Sequence, residues 1–125
     1  MADKGIRFFN KITQECYGSP THSSNTWDCE LDSWDNFIFT LNNAANTIDL
    51  TNGAIGQSGV VVLTNPSSTG SFSVNLIQGN GDAAEVLTPS GATINWPTTA
   101  NHISIISYFV VASDKILINF VGSFA

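Results

Sequence analysis

The chain has 125 residues and a mass of 13.3 kDa, enough for one ordinary domain with a single core. Charged residues make up only 11 %, whereas Ser, Thr, Asn and Gly account for 49 residues. This composition suits short strands joined by turns and argues against a helical bundle. The net charge of −6, with only four Lys and Arg, argues against a nucleic-acid partner, because phosphate contacts need clustered basic residues.

Charge is distributed unevenly along the chain. Residues 1–11 carry three basic residues and one acid, a balance of +2, whereas residues 12–125 carry one basic residue and nine acids, a balance of −8. The first residues lack the apolar stretch of a secretory signal, and no later apolar stretch reaches membrane-spanning length. We therefore expect a soluble protein that has no cleaved signal and no membrane partner, with a basic tip ahead of an acidic body.

The first 32 residues differ in pattern from the rest of the chain. They hold both cysteines and a turn-favouring tract at 18–25, which predicts an N-terminal arm and linker over 1–32 and a β domain over 33–125. Apolar and basic side chains alternate near the start, a composition suited to docking on an acidic partner surface. The alternative is that Phe8 and Phe9 fold onto the protein's own core. The candidate docking residues are Lys4, Ile6, Arg7, Phe8, Phe9 and Lys11.

Seven strands are predicted from alternating or continuous apolar runs between turn clusters. In the first, Phe37, Phe39 and Leu41 share one face, and the second strand is its candidate partner. In the fourth, Phe72, Val74 and Leu76 share a face. The last two strands are joined by three residues, as in a hairpin. The predicted strands cover 36–41, 47–50, 59–64, 71–76, 92–96, 102–111 and 115–124.

Two of these strands, at 60–63 and 116–121, are apolar on both faces. A strand of this kind is buried on both sides or covered by another subunit. No long helical period occurs in the body. The sequence therefore predicts an all-β fold, an antiparallel β-sandwich or barrel of about seven strands with an N-terminal extended arm. The candidate subunit-interface residues are Val60, Val62, Ile116, Ile118 and Phe120.

Four short segments occur in a characteristic order: GQSGVVVL at 56–63, INWP at 94–97, ISIISY at 103–108 and NFVGSFA at 119–125. Together they resemble a β-rich module of tailed-bacteriophage virion proteins, found at the ends of tail and head fibres and in capsid decoration, or cement, proteins. The resemblance covers about residues 33–125 and implies a homotrimer. The preceding 32 residues are too few for a fibre shaft, which favours a small accessory protein.

These observations predict a non-enzymatic phage virion structural protein. It would be assembled in the host cytoplasm and located on the capsid surface, a decoration protein whose arm binds the major capsid protein and whose body forms a trimer. The alternative is a fibre-tip domain that binds a receptor or glycan through Trp, Asn and Thr side chains on exposed loops. A small carbohydrate-active enzyme is the third possibility.

Neither the cysteines nor the histidines match a known reactive or metal-binding pattern. Cys16 and Cys29 are interpreted as two reduced thiols, with a disulfide as the alternative. A metal site formed with His22 would lack a fourth ligand and the usual cysteine spacing. His102 opens a strand and is interpreted as a surface or interface residue rather than a base. We therefore predict no metal and no cofactor.

The acidic cluster and the tryptophans receive structural interpretations. Alternation places Asp28, Glu30 and Asp32 on one face if the segment is extended, and with Asp35 they are interpreted as a solvated surface. A calcium site or a glycosidase carboxylate pair is the alternative. Trp27, Trp34 and Trp96 are interpreted as core or interface residues rather than platforms for sugars. We predict no catalytic residues.

Overall fold

The computed structural model describes residues 17–67 and 73–125, where the chain forms nine strands and two short 3₁₀ turns. Because most of these segments alternate apolar with polar side chains, each strand buries one face. The 3₁₀ turns are Ala83–Glu85 and Pro89–Gly91. The strands are β1 (Thr21–Ser23), β2 (Thr26–Glu30), β3 (Phe37–Thr40), β4 (Ala45–Thr51), β5 (Ser58–Thr64), β6 (Ser73–Gly79), β7 (Val86–Leu87), β8 (Ile103–Ala112) and β9 (Lys115–Phe124).

The strands form two mixed sheets. Sheet I has the order β1-β2-β4-β6, and sheet II has the order β3-β5-β8-β9-β7. From β2 to β6 the chain changes sheet with every strand, so β2, β4 and β6 are parallel in sheet I, and β3 and β5 are parallel in sheet II. The β8–β9 hairpin then adds to β5 in antiparallel fashion, and β7 closes the edge of sheet II parallel to β9.

One hydrophobic core lies between the two sheets. In sheet I, the register aligns Trp27 with Ile48 and Ile77 across three strands. In sheet II, Phe37 aligns with Val61. Alternation turns all these side chains inward, which makes the fold a sandwich-like pair of layers. The buried apolar residues are Trp27, Cys29, Leu31, Phe37, Phe39, Leu41, Ile48, Leu50, Val61, Leu63, Val74, Ile106, Tyr108, Val110, Ile116 and Ile118.

The predicted β-rich class is confirmed, but the antiparallel arrangement is wrong because four of the seven strand pairs are parallel. The described residues form nine strands rather than seven, in two sheets that do not close into a barrel. The predicted pairing of 36–41 with 47–50 is also wrong, since β3 and β4 lie in different sheets. Alternation specifies which face of a strand is buried but not which strand lies beside it.

Part of the predicted linker belongs to the β fold. Residues 21–23 and 26–30 form β1 and β2, and Trp27, Cys29 and Leu31 are buried in the core. In β2, Trp27 and Cys29 point inward, and this alternation outweighs the turn-favouring tract just before it. The expectation of irregular backbone over 18–25 is therefore wrong at 21–23, and 26–30 of the predicted arm and linker is a core strand. Residues 1–16 of that segment, with all six docking residues, lie outside the described residues.

Five of the predicted strands are confirmed with shifted ends or unchanged bounds, as β3, β4, β5, β8 and β9. The fourth predicted strand overlaps β6, but its face assignment is wrong: Asn46 pairs with Val74 and Thr47 with Leu76, so a bulge at Asn75 interrupts the alternation. Val74 is consequently buried and Leu76 exposed. Phe72 lies outside the described residues.

The segment 92–96 is an irregular connection and not the predicted strand. It is held by side-chain packing instead of a ladder of backbone hydrogen bonds. Trp96 contacts Phe120 edge to face, with ring centroids 5.4 Å apart, and Ile94 also packs against the core. β7 pairs only with Ile116 and Leu117 of β9, and the segment 92–96 makes no ladder pairing with the rest of that strand.

Candidate functional site: two contrasting sheet faces and a loop cleft

The outward side of sheet II, here called the apolar face, is built from three rows of side chains that run across the strands. The first row is Ser58, Phe109, Leu117 and Leu87; the second is Val60, Ser107 and Asn119; the third is Ile38, Val62, Ile105 and Gly122. None of these residues is charged. Phe109, Leu117, Leu87 and Ile38 are 42–46 % exposed, so large apolar side chains face solvent together.

A groove of about 320 Å³ runs along the apolar face beside β7. Its lining includes Leu87, Pro89, Phe109 and Leu117. The groove shows that this face is not flat, so a partner would need side chains that project into it. A contiguous group of exposed, uncharged apolar side chains is typical of a surface that another molecule covers.

The predicted interface residues separate into two groups. Val60 and Val62 lie half-buried on the apolar face. Ile116 and Ile118 are only 3 % exposed because the protein's own core buries them, and Phe120 points to the same inner side against Trp96. The protein's own core thus contradicts the assignment of Ile116 and Ile118 to a subunit interface, whereas Phe120 is only partly buried.

Sequence reasoning missed the larger members of the apolar face, Phe109, Leu117, Leu87, Ile38 and Ile105. The usable signal was that both alternating sets of β8 and β9 are apolar. Only one set can face the protein's own core, so the other set must face outward. Which set does so depends on where the opposing sheet lies, and that information is not present in either strand alone.

The outward side of sheet I, here called the acidic face, has the opposite character. Asp28 and Asp49 are directly aligned on β2 and β4, and Glu30 follows on β2. Thr51 Oγ1 donates to Asp28 Oδ1 at 2.5 Å, and Gly81 N donates to Asp49 Oδ1 at 3.1 Å. Hydrogen bonds from neutral groups therefore hold the two neighbouring carboxylates in position.

The predicted acidic cluster is brought together only in part. Asp28 and Glu30 share the acidic face, as expected from alternation, whereas Asp32 lies in the turn after β2 and Asp35 just before β3. Among residues 17–67 and 73–125, no three His, Cys, Asp or Glu side chains are grouped so that they could hold a metal ion.

His22 and Trp27 form part of an aromatic stack that runs from the surface into the core. The ring centroids of His22 and Trp27 lie 4.0 Å apart, and those of Trp27 and Phe39 lie 4.8 Å apart. Trp27 Nε1 donates to Asn46 Oδ1 at 2.9 Å inside the core. Trp27 is therefore a core residue. His102, half-buried just before β8, has a buried Nδ1 without a hydrogen-bond partner.

Cys29 is a free thiol buried completely between the sheets. Burial raises the pKa of its thiol far above the ordinary 9.0, and the nearby negative charges of Asp28 and Asp49 raise it further. The thiol is therefore neutral at physiological pH and poorly suited to bind metal or act as a nucleophile. Cys16 lies outside the described residues.

A cleft of about 410 Å³, here called the loop cleft, opens where two loops run from sheet I to sheet II. One wall is the connection between β2 and β3, and the other is the connection between β4 and β5. The lining residues are Leu31, Asp32, Ser33, Trp34, Asp35, Asn52, Ala54, Ile55, Gly56 and Gln57. Trp34, interpreted above as core or interface, packs partly on the core and also lines this cleft.

Gln57 connects the two walls of the loop cleft. Its Nε2 donates to Leu31 O at 2.6 Å and to Asp35 Oδ1 at 2.9 Å, while its Oε1 accepts from Ala54 N at 3.0 Å. Tyr108 Oη donates to Asp35 O at 2.7 Å from the neighbouring strand β8. These bonds fix the width of the cleft, because both loops are attached to the same side chain and to sheet II.

Comparison of the chain with protein-family models, with characterised proteins and with solved structures finds no match. Within the described ranges, no helix has the length and apolarity needed to cross a membrane.

Proposed function

We propose that the protein is a non-enzymatic virion structural protein, a capsid decoration protein that binds the major capsid protein as a homotrimer. The observation that carries this proposal is the contrast between the apolar face of sheet II and the acidic face of sheet I. A body with one uncharged apolar side and one acidic side is suited to assembly in a fixed orientation. The resemblance of residues 33–125 to phage virion modules supplies the setting.

The apolar face is large enough to join copies of this chain. β8 and β9 each have ten residues, so they are about 33 Å long, and five strands span about 19 Å between the outermost axes. Because β5 has seven residues, β3 four and β7 two, the face covers about 500 Å². Two facing copies would bury about 1,000 Å² in total, which is the lower end for a specific interface. Contact through the acidic faces would oppose carboxylates directly, which favours assembly through sheet II.

Gly18, which follows the residues of the proposed docking arm, lies beside the proposed trimer interface. Gly18 N donates to Asn36 O at 2.9 Å, and Ile38 N donates to Gly18 O at 3.3 Å, so this residue adds to the free edge of β3. The chain therefore enters the fold at the edge of sheet II, away from the acidic face. The balance of +2 in residues 1–11 supports docking of this segment on an acidic capsid surface.

Sedimentation velocity of Leu117→Asp and Leu76→Asp tests the trimer. Leu117 lies on the apolar face, whereas Leu76 is similarly exposed on the outward side of sheet I. Wild type and Leu76→Asp should sediment as trimers, and Leu117→Asp as a monomer, because an unpaired carboxylate would be buried in the interface. A monomeric wild-type protein, or a Leu117→Asp trimer, would contradict assembly through this face.

Co-sedimentation with undecorated capsids tests the capsid role. Replacing Lys4, Arg7 and Lys11 by Glu should strongly reduce binding, and the control Lys115→Glu, at the exposed first residue of β9, should bind normally. If wild-type protein does not sediment with capsids, the decoration role is wrong even if the trimer forms.

A fibre-tip domain that binds a receptor or glycan is the second candidate function, and the loop cleft is the observation that favours it. The two candidates differ in copy number. A decoration protein should be present in many copies per particle, whereas a fibre tip should be present in few, and a quantified gel of purified virions separates them. An enzyme, the third possibility, would be revealed by turnover of a surface polysaccharide.

A further inference from the structure

We infer that the loop cleft binds a neutral carbohydrate, with one sugar ring against the indole of Trp34 and its hydroxyls hydrogen-bonded to Asp32, Ser33 and Asn52. The inference deepens the second candidate function, glycan binding, and requires neither the trimer nor capsid binding, since it concerns a different part of the surface. The volume of the loop cleft, about 410 Å³, lies within the range of small-molecule sites, roughly 300–1,000 Å³.

The cleft is built before any ligand arrives. Gln57 makes three hydrogen bonds that tie the two loops together, and Tyr108 fixes Asp35 to sheet II. Trp34 is held in place because its indole lies directly over Gly18, where a Cβ atom would collide with the ring. Walls that are already ordered lose little conformational entropy on binding, which favours recognition of a small, weakly binding ligand such as a sugar.

The lining of the cleft combines apolar and polar surface in the way that a sugar requires. The indole of Trp34 and the side chain of Ile55, which is 70 % exposed, offer apolar contact for the C–H groups of a pyranose ring. Asp32 and Ser33 are exposed on one wall and Asn52 on the other. A carboxylate accepts hydrogen bonds from hydroxyls, and an amide both donates and accepts them.

Charge determines which ligands the cleft admits. Its lining contains Asp32 and Asp35 and no Lys, Arg or His, so phosphorylated, sulfated or carboxylated ligands would be repelled. An organic cation would be attracted by the same carboxylates, but Trp34 is the single aromatic in the lining, and Asp35 Oδ1 already accepts from Gln57. Several hydroxyl and amide partners beside one flat ring favour a neutral sugar.

The cleft stays open to solvent in the proposed assembly. It lies at the loop end of the sandwich, whereas the apolar face covers the outward side of sheet II. Gly56 has a φ of +91°, and no atom lies within 4 Å of the position that its Cβ would occupy, so the space above the second loop is free. A trimer formed through sheet II can therefore present these clefts outward.

The test uses the full-length protein, an array of immobilised neutral oligosaccharides, and NMR titration with the trisaccharide that binds best. The Trp34 indole N–H signal should shift on titration. Asp32→Asn should weaken binding about tenfold, because a charge-assisted hydrogen bond to the carboxylate becomes a weaker bond to a neutral amide oxygen. The matched control Asp114→Asn, in the exposed β8–β9 turn, should bind as wild type.

Trp34→Leu should abolish binding, and circular dichroism of the same sample shows whether the fold is retained. Since Asp32 is exposed, Asp32→Asn keeps the test valid even if Trp34→Leu fails to fold. The inference is overturned if no neutral oligosaccharide binds, if Asp32→Asn binds as wild type, or if tetramethylammonium binds and the sugars do not. None of these outcomes alters the sedimentation tests of the trimer and of capsid binding.

Discussion

Gly59 shows how a single residue determines the contact between a loop and a sheet. Its Cα lies so close to the loop before β3 that an added Cβ would collide with the carbonyl oxygen of Asp35 and lie 2.9 Å from Tyr108 Oη. This close approach is what allows Tyr108 to donate to Asp35 O. The absence of a side chain at position 59 thus supports one wall of the loop cleft.

Gly59→Ala should lower the free energy of unfolding by about 2–3 kcal/mol, since the methyl group must displace backbone. Ser58→Ala, the neighbouring exposed position on β5, is the control and should change it by less than about 0.5 kcal/mol. Urea denaturation followed by tryptophan fluorescence measures both. Equal stability of the two variants would show that the loop can move away from β5 without cost.

The free energy of unfolding should fall as the pH rises above 9.0, the ordinary pKa of a cysteine thiol such as that of Cys29. Burial raises the pKa of Cys29, and burial together with the Asp35 charge raises that of Tyr108 above its ordinary 10.0. Above these values the unfolded chain loses protons that the folded chain keeps, so the unfolded state is favoured by up to about 1.4 kcal/mol per pH unit for each group.

Thermal unfolding of wild type and Cys29→Ala between about pH 8 and pH 10 checks this expectation. The variant should be less stable throughout, because it leaves a small cavity, but its stability should depend less on pH between 9 and 10. Parallel pH profiles for the two proteins would contradict the assignment of this dependence to the thiol.

At the scale of elements, β4 is the central strand of the parallel part of sheet I. It pairs with β2 on one side and β6 on the other, and Ile48, which is fully buried, aligns with Trp27 and Ile77. This row is formed by residues about twenty to thirty positions apart in the chain. The alternation in 47–50 predicted the strand, but it did not predict that β2 and β6 would be its parallel neighbours.

Ile48→Ala should cost about 3 kcal/mol of unfolding free energy, because it removes buried methyl groups from a site packed on both sides. Thr47→Ala on the same strand, facing the opposite side, should have an effect below about 1 kcal/mol. Chemical denaturation of the two variants compares them directly. A small effect of Ile48→Ala would show that the centre of sheet I repacks readily.

Strands with long apolar alternation could be located from the sequence. The same alternation gave the wrong buried face where a bulge interrupts a strand. Lys115–Phe124 has the bounds expected from the sequence, since a long alternating run beside a short turn specifies a hairpin arm. The bulge at Asn75 reversed the side of Leu76, and Trp34 joined the loop cleft only because Gly18 lies beneath it. Both depend on contacts between distant segments, which one strand's pattern does not contain.

At the scale of the whole molecule, the two sides of the sandwich differ in charge, since the rows of the apolar face are uncharged and the acidic face carries Asp28, Glu30 and Asp49. The proposed assembly through sheet II would bury uncharged surface, while the acidic faces of the copies would still repel one another through solvent. Docking of the basic residues 1–11 on a capsid would depend instead on attraction between unlike charges. The two interactions should therefore respond to salt in opposite directions.

Raising NaCl to about 1 M, where the Debye length is about 3 Å, should strengthen the trimer and weaken capsid co-sedimentation. Sedimentation velocity across a salt series, with capsid binding measured in the same buffers, gives both dependences. A trimer that dissociates at high salt would contradict an interface made by the uncharged rows of sheet II.

From β2 to β6 successive strands lie in alternate sheets, and this topology affects the rate of folding. Every pairing in sheet I except that of β1 with β2 joins segments far apart in sequence, whereas the β8–β9 hairpin needs only a two-residue turn. Local hairpins close in microseconds, but distant pairings must first overcome the entropy of loop closure. The β8–β9 hairpin should therefore form early and provide an edge on which β5 can pair. The slower pairing of β2, β4 and β6 in sheet I should limit the overall folding rate.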